Sequence, residues 1–199
     1  MKHIMKQWFL IISLLIIVSL VVILFLFTGT VHSQSVKYGE FSADFITTDM
    51  EKVSTGRIWV KGDRVRQELT GAEGSLITIY RFDKMALWTF IPGNRYLERN
   101  PPPNPALPYK EGYQRTVLGV EKINGYACEI IKYTYQNKAD GIYVVWISQK
   151  LNYPIKTETR AANKRIIAAT ECKNIREETV DDALFELPAG YRKFLLYRN

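Results

Sequence analysis

Turn signals recur about every 8–12 residues from residue 38 onward, and the runs between them are rich in β-branched and aromatic residues. The KGD tripeptide at 61–63 and the NG dipeptide at 124–125 are strong hairpin signals. This spacing of turns predicts about ten antiparallel strands in a sandwich or barrel. The predicted strands lie at 38–48, within 54–69 on both sides of 61–63, and at 76–82, 85–91, 95–99, 116–120, 127–135, 142–148, 155–160 and 165–172.

Helix is expected only in three short stretches, at residues 49–53, in part of 109–115 and at 181–185. In the last of these, Asp181 has the side chain of a helix N-cap. Residues 100–108 contain five of the eight prolines, which no helix or central strand tolerates. This segment is predicted to be an extended connection between two halves of one sheet, with a lid or docking role as the less favoured alternative.

The N-terminal segment, residues 1–33, has the composition of a targeting sequence. Residues 8–27 are twenty uncharged, mostly apolar residues, which as a helix would reach roughly 30 Å, the thickness of a bilayer core. Two lysines precede them, and Val31-His32-Ser33 resembles a signal-peptidase site before Gln34. A cleaved signal peptide and an uncleaved inner-membrane anchor both remain open. Either one exports residues 34–199, a single predicted domain, to the periplasm or another extracytoplasmic space.

Cys128 and Cys172 are the only two cysteines of the chain. In an oxidising compartment an isolated pair is most simply a disulfide, which the sequence therefore predicts. Two buried free thiols are the alternative. Two cysteines are too few for a four-thiolate metal site.

Charge and histidine content narrow the class of function. The first 33 residues hold two of the 27 basic residues, both histidines and no acid, so the remainder carries 25 basic and 20 acidic side chains and a net charge of +5. Without histidine, this domain has neither a Ser-His-Asp nor a Cys-His pair, and no imidazole for zinc. A non-catalytic protein without metal or cofactor is predicted. Nucleic acid is a poor candidate partner, because export separates this domain from the nucleic acids of the cell.

The predicted domain holds 21 aromatic residues, most of which are expected in its core. A curved antiparallel sheet lined by such rings could also enclose an apolar cavity for a lipid chain. Arginines on adjacent strands could meet an anionic headgroup, or simply pair with acids such as Glu68 on a solvated face. The candidate ligand-binding residues are Trp59, Trp88, Phe90 and Trp146 for the chain, and Arg64 and Arg66 for the headgroup.

Five segments together resemble the LolA/LolB-like lipoprotein-carrier superfamily, nearest to its DUF4412 or outer membrane lipoprotein-sorting type. The resemblance extends over about residues 38–195. Its segments are GRIWVKGDRVRQEL at 56–69, ALWTFIPGNRYLE at 86–98, LGVEKINGYACE at 118–129, VVWISQKLNYPIK at 144–156 and DDALFELPAGYRK at 181–193.

The resemblance implies an incomplete antiparallel β-barrel, closed on one side by helices, with a cavity that takes acyl chains. Arg66 matches the strand arginine of the family, Trp59 and Trp88 match apolar positions facing the interior, and Phe185 matches the closing segment. The chain departs from the pattern in having little helix between its strands. The predicted function is non-covalent binding of a lipid or lipoprotein acyl chain. The alternative is an envelope module that binds a protein partner through the same face.

The mass of the intact protein from its native membrane fraction separates the two alternatives for residues 1–33. We expect a mass that begins at Gln34, because Val31 and Ser33 place small side chains at both ends of the predicted cleavage site. A mass that includes residues 8–27 would show instead that the apolar stretch stays as an anchor.

Overall fold

The computed structural model describes residues 37–71, 74–102 and 112–195. The predicted signal or anchor segment at 1–33, with its apolar stretch 8–27, lies outside these residues, as does most of the Pro-rich segment 100–108. Within the described ranges, no helix has the length and apolar character needed to cross a membrane.

The described residues contain twelve strands, and these form one sheet. The strands are β1 Tyr38–Asp49, β2 Lys52–Gly62, β3 Arg64–Gly71, β4 Gly74–Arg81, β5 Ala86–Ile91, β6 Arg95–Arg99, β7 Tyr113–Ile123, β8 Tyr126–Tyr135, β9 Ile142–Ser148, β10 Pro154–Arg160, β11 Ile166–Arg176 and β12 Arg192–Lys193. The mainly β prediction is confirmed.

The sheet joins two consecutive meanders through its first strand. Its order is β12-β6-β5-β4-β3-β2-β1-β11-β10-β9-β8-β7, so β1 lies between β2 and β11. All pairs are antiparallel except β12 with β6. The sheet is open, with β12 and β7 at its edges. The predicted closure by helices is not found in the described part of the chain, where helical structure is limited to 3₁₀ turns at Phe82–Lys84, Lys138–Asp140 and Asp182–Phe185.

Two tight turns show why the local predictions are right in one place and wrong in another. Asn124 and Gly125 have φ values of 48° and 91°, and they join β7 to β8 as the NG signal predicts. Met50 and Glu51 also have positive φ, 40° and 78°, and they join β1 to β2. The predicted helix at 49–53 is therefore wrong. The long pairing of β1 with β2 overrides the helix preference of Met and Glu.

The short helix at 181–185 is confirmed as the 3₁₀ turn Asp182–Phe185. The Asp181 side chain accepts a hydrogen bond of 3.0 Å from the backbone N–H of Ala183, as an N-cap does. Residues 113–115 belong to β7, while the rest of the predicted stretch at 109–115, apart from Gly112, lies outside the described residues. Residues 142–148 form β9, which lies between β8 and β10 in the sheet.

Buried apolar side chains form three clusters. The first centres on β1, β2, β3 and the turn between β9 and β10, and includes Phe41, Val60, Val65, Tyr153 and Ile155. The second packs β4 and β5 against residues 180–191 and includes Ile79, Trp88, Phe90, Val180 and Phe185. The third, on β8 and β9, consists of Ile131, Tyr133 and Val145, with partly buried rings around them.

The disulfide predicted between Cys128 and Cys172 is absent, and both residues are buried free thiols. Cys128 lies on β8 and Cys172 on β11, with β9 and β10 between them in the sheet. The Cys128 thiol instead donates to the backbone carbonyl oxygen of Tyr126 at 3.3 Å, and the Cys172 side chain packs in the first cluster.

Thiol labelling tests whether Cys128 and Cys172 are free. Burial raises the pKa of the Cys172 thiol to about 12, and burial likewise raises the pKa of Cys128, so both are protonated at neutral pH. We expect iodoacetamide to label neither cysteine in the native protein and both in denaturant without reductant. The readout is the intact mass. If the unfolded, unreduced protein takes up no label, Cys128 and Cys172 form a disulfide.

Candidate functional site

Five of the six predicted ligand-binding residues lie on one face of the first meander. Trp59, Arg66 and Trp88 belong to one row across β2 to β5, because Trp59 is directly opposite Arg66, and Trp88 follows across Ile79. Arg64 and Phe90 are two residues from Arg66 and Trp88 on the same strands. Side chains two residues apart on a strand share a face. The tertiary structure therefore assembles these five residues, and we call their surface the aromatic face.

The chain itself covers the aromatic face. Residues 180–195, here called the C-terminal segment, pass over it and end as β12 beside β6. The Phe185 side chain is fully buried in the second cluster, and the Tyr191 ring lies 4.8 Å from that of Phe90. Trp88 is 6% exposed as a result. An acyl chain would have to displace this segment to reach the face.

The two predicted headgroup arginines are engaged inside the protein. Arg66 donates to the Glu68 carboxylate at 2.8 and 2.5 Å and to the Leu184 carbonyl oxygen at 3.0 Å. Arg64 lies 3.1 Å from the Asp182 carboxylate and 5.2 Å from the centre of the Phe185 ring. Both side chains hold the C-terminal segment in place.

A third arginine, which the sequence does not single out, is the most buried of this group. Arg81 is 4% exposed and forms ion pairs with Asp83 at 2.6 Å and with Glu186 at 2.5 Å. Its hydrogen bonds lower the pKa of the Asp83 carboxyl. Burial alone would raise the pKa of Glu186, but hydrogen bonds from Lys84 and Arg81 lower it overall. The ion pair with Glu186 binds the C-terminal segment to β4.

Trp146, the sixth predicted residue, lies elsewhere. It is on β9, four strands from β2, and packs in the first cluster. Its indole N–H donates to Glu121 at 2.8 Å, and the Lys156 ammonium lies 4.4 Å from the centre of its ring. The structure does not bring Trp146 to the aromatic face.

An open groove of about 630 Å³ adjoins the aromatic face in the middle of the sheet. Ligand pockets for small molecules usually measure about 300–1,000 Å³. The groove extends over β11, β1, β2 and β3, and it is lined by Asp44, Phe45, Ile46, Thr55, Gly56, Arg57, Glu68, Thr70, Lys173 and Asn174.

Gly56 shows how closely the strands approach here. A Cβ atom at this position would lie 2.3 Å from the Glu68 carbonyl oxygen and 2.6 Å from the Phe45 ring. Only glycine fits, because neither a backbone carbonyl nor a buried ring can easily move. The close packing fixes β2 and β3, which carry Arg57 and Glu68, beside β1.

Four charged residues of alternating sign cross the groove in one row. The register places Glu68 opposite Arg57, Arg57 opposite Asp44, and Asp44 opposite Lys173. Directly opposite side chains share a face and have Cβ atoms about 5 Å apart. We call Glu68, Arg57, Asp44 and Lys173 the charged row.

Each member of the charged row contacts a neighbour. Glu68 accepts from Arg66, Lys173 donates to Glu171, and Asp44 accepts from the Asn174 side chain at 2.9 Å. The Arg57 guanidinium lies 5.2 Å from the centre of the Trp59 ring. These contacts hold two cations and two carboxylates in fixed positions at an open surface.

Apolar side chains continue the groove toward the β1–β2 turn. Ile46 is 41% exposed and Val53 62% exposed, and the register places both on the face of the charged row. Met50, at the turn itself, is 77% exposed. The surface is thus amphipathic, with charge at one end and an apolar end at the other.

Sequence reasoning misses the groove, although one signal for it is present. Arg57 and Glu68 lie close to Arg64 and Arg66 in the sequence, but their contribution to the groove depends on Asp44 and on Lys173, which is far away along the chain.

Within residues 37–71, 74–102 and 112–195, no group of three or more His, Cys, Asp or Glu side chains could hold a metal ion.

Comparison with known proteins identifies the fold. Neither a family model nor a curated protein matches the sequence. Among solved structures, an uncharacterized conserved protein from Thermus thermophilus is similar with a TM-score of 0.58, at 11% identity over 81% of this chain and 91% of its own. The structure of the MucA/MucB complex from Pseudomonas aeruginosa is similar with a TM-score of 0.56, at 12% identity over 79% of this chain.

The match covers 58% of the chain in the MucA/MucB structure. A LolA superfamily protein from Nitrosomonas europaea also matches, at 11% identity over 77% of this chain and 94% of its own, with a TM-score of 0.37. The narrower resemblance to DUF4412 is not confirmed, because no family model matches. At these identities the similarity shows the fold alone.

Replacement of Trp88 by Ala checks whether the aromatic face is core. The side chain packs under the C-terminal segment, so we expect Trp88→Ala to lower the free energy of unfolding by about 3–5 kcal/mol. Denaturant titration gives the measurement. Met85→Ala, at a side chain 66% exposed, is the control and should cost less than about 0.5 kcal/mol. Equal stability of the two variants would show that Trp88 is not core.

Proposed function

We propose that the protein is a non-catalytic, extracytoplasmic module that binds a lipid or lipoprotein acyl chain in the open groove. The observation that carries the proposal is the amphipathic character of the groove. Its charged row suits a polar headgroup, and its apolar end suits a chain. The sequence predicts a binding site on the aromatic face. The site proposed here is the groove next to it, on the same side of the sheet.

The apolar end supplies the energy for chain binding. The part of β1 from Asp44 to Asp49 extends roughly 17 Å at about 3.3 Å per residue, long enough to lie beside an extended acyl chain. Each CH₂ group removed from water contributes about 0.8 kcal/mol. Ile46 and Val53 are the exposed side chains that such a chain would cover.

The proposed location and the non-catalytic role rest on the sequence. Residues 8–27 have the composition of an export signal or an anchor. The resemblance to the LolA/LolB-like carriers over residues 38–195 points to the same side of the membrane. The absence of histidine from residues 34–199 favours binding over catalysis.

A protein partner is the second candidate. The aromatic face already holds the C-terminal segment through its backbone: Lys61, Arg66 and Arg81 donate to the carbonyl oxygens of Val180, Leu184 and Phe185. The matched MucB structure is a complex with MucA. These two observations favour a protein partner.

Native mass spectrometry after gentle purification, with uptake of a fluorescent fatty acid, tests the proposal. We expect the full chain to retain lipid and to take up the probe. Ile46→Glu should weaken uptake about tenfold, because it places a charge on the apolar end of the groove.

Ile166→Glu is the matched control, since Ile166 is 50% exposed on a strand and does not line the groove. It should leave uptake unchanged. A chain that neither retains lipid nor binds the fatty acid would overturn the proposal and leave the protein partner as the better candidate. Equal losses in the two variants would overturn the position of the site.

A further inference from the structure

We propose that the charged row selects a zwitterionic headgroup in which a phosphate and a primary ammonium are joined by a short bridge, as in phosphatidylethanolamine. This inference rests on the proposed function and names the lipid class that the same groove would take. It follows from the order of charges on the sheet.

The central pair of the charged row is a fixed dipole of the right size. Arg57 on β2 and Asp44 on β1 are directly opposite, so their side chains are separated by one strand interval of about 4.8 Å. The ethylene bridge of phosphoethanolamine separates its two charges by a comparable distance. Arg57 would meet the phosphate, and Asp44 would meet the ammonium.

Each partner is already oriented. The Arg57 guanidinium lies over the Trp59 ring, which restrains it without using its hydrogen-bond donors. A guanidinium matches a phosphate bidentately. The Asn174 amide donates to Asp44 Oδ2 at 2.9 Å. A carboxylate has about four acceptor positions, so Asp44 can also accept from an ammonium.

The outer members of the charged row exclude simpler headgroups. Glu68 lies on the far side of Arg57, and Lys173 lies on the far side of Asp44. A purely anionic headgroup, such as that of phosphatidylglycerol, meets two cations but also two carboxylates of its own sign. Phosphatidylcholine carries both charges, but its quaternary ammonium has no N–H to donate to Asp44.

Binding of short-chain phospholipids with matched acyl chains tests the inference. The full chain is titrated with phosphatidylethanolamine, phosphatidylcholine and phosphatidylglycerol, and isothermal titration calorimetry gives the three affinities. We expect phosphatidylethanolamine to bind about tenfold more tightly than either of the others. Glycerophosphoethanolamine, which has the headgroup but no chains, should bind at least about tenfold more weakly than the lipid. Equal binding of the two would contradict a lipid as the ligand.

Two variants of the charged row should respond differently. Arg57→Gln should weaken all three lipids about tenfold, because it removes the phosphate partner. Asp44→Asn should weaken phosphatidylethanolamine and strengthen phosphatidylglycerol, because it removes both the ammonium partner and a repelling charge. A merely structural role of Asp44 would lower both affinities alike.

Arg115→Gln is the matched control, since Arg115 pairs with Glu129 on β7 and β8, away from the groove. It should change no affinity, and thermal unfolding of all variants confirms that they are folded. Equal affinity for the three lipids would overturn the headgroup inference while the proposed lipid binding stands. If none of the lipids binds, the proposed function fails as well.

Discussion

The pairing of β1 on both of its sides is the constraint on which the rest of the structure depends. β1 is hydrogen-bonded to β2 along the chain and to β11 from the end of the second meander. The second contact joins residues that are far apart in the sequence, such as Phe45 and Cys172. Without it the two meanders would be separate sheets. The groove that spans β11, β1, β2 and β3 would not exist.

One sheet face has two different surfaces because only part of it is covered. Over β2 to β5 the C-terminal segment buries Trp88 and Phe90 and occupies Arg64 and Arg66. One row further along, the same face is open and carries the charged row. The aromatic face therefore contributes stability, while the charges and the apolar end next to it are exposed to solvent.

Much of the fold can be predicted from local sequence, and the site cannot. The NG turn at 124–125 and the cap at Asp181 are properties of a few adjacent residues, and both are confirmed. Met50 and Glu51 predict a helix but form a turn, because strand pairing overrides their local preference. Lys173 gives no signal as a groove residue, since it lies beside Asp44 only through the pairing of β1 with β11, two strands that are distant in sequence.

The sequence by itself determined the class of the fold. Alternating runs, frequent turns and a domain without histidine are local or compositional properties, and they are sufficient for a mainly β, non-catalytic prediction. Only the tertiary structure decided which surface is covered and which is open, and that Cys128 and Cys172 stay apart. The physical reason is strand register. It sets which side chains are neighbours across the sheet, and where β1 meets β11 it depends on pairing between residues that no local turn or pattern connects.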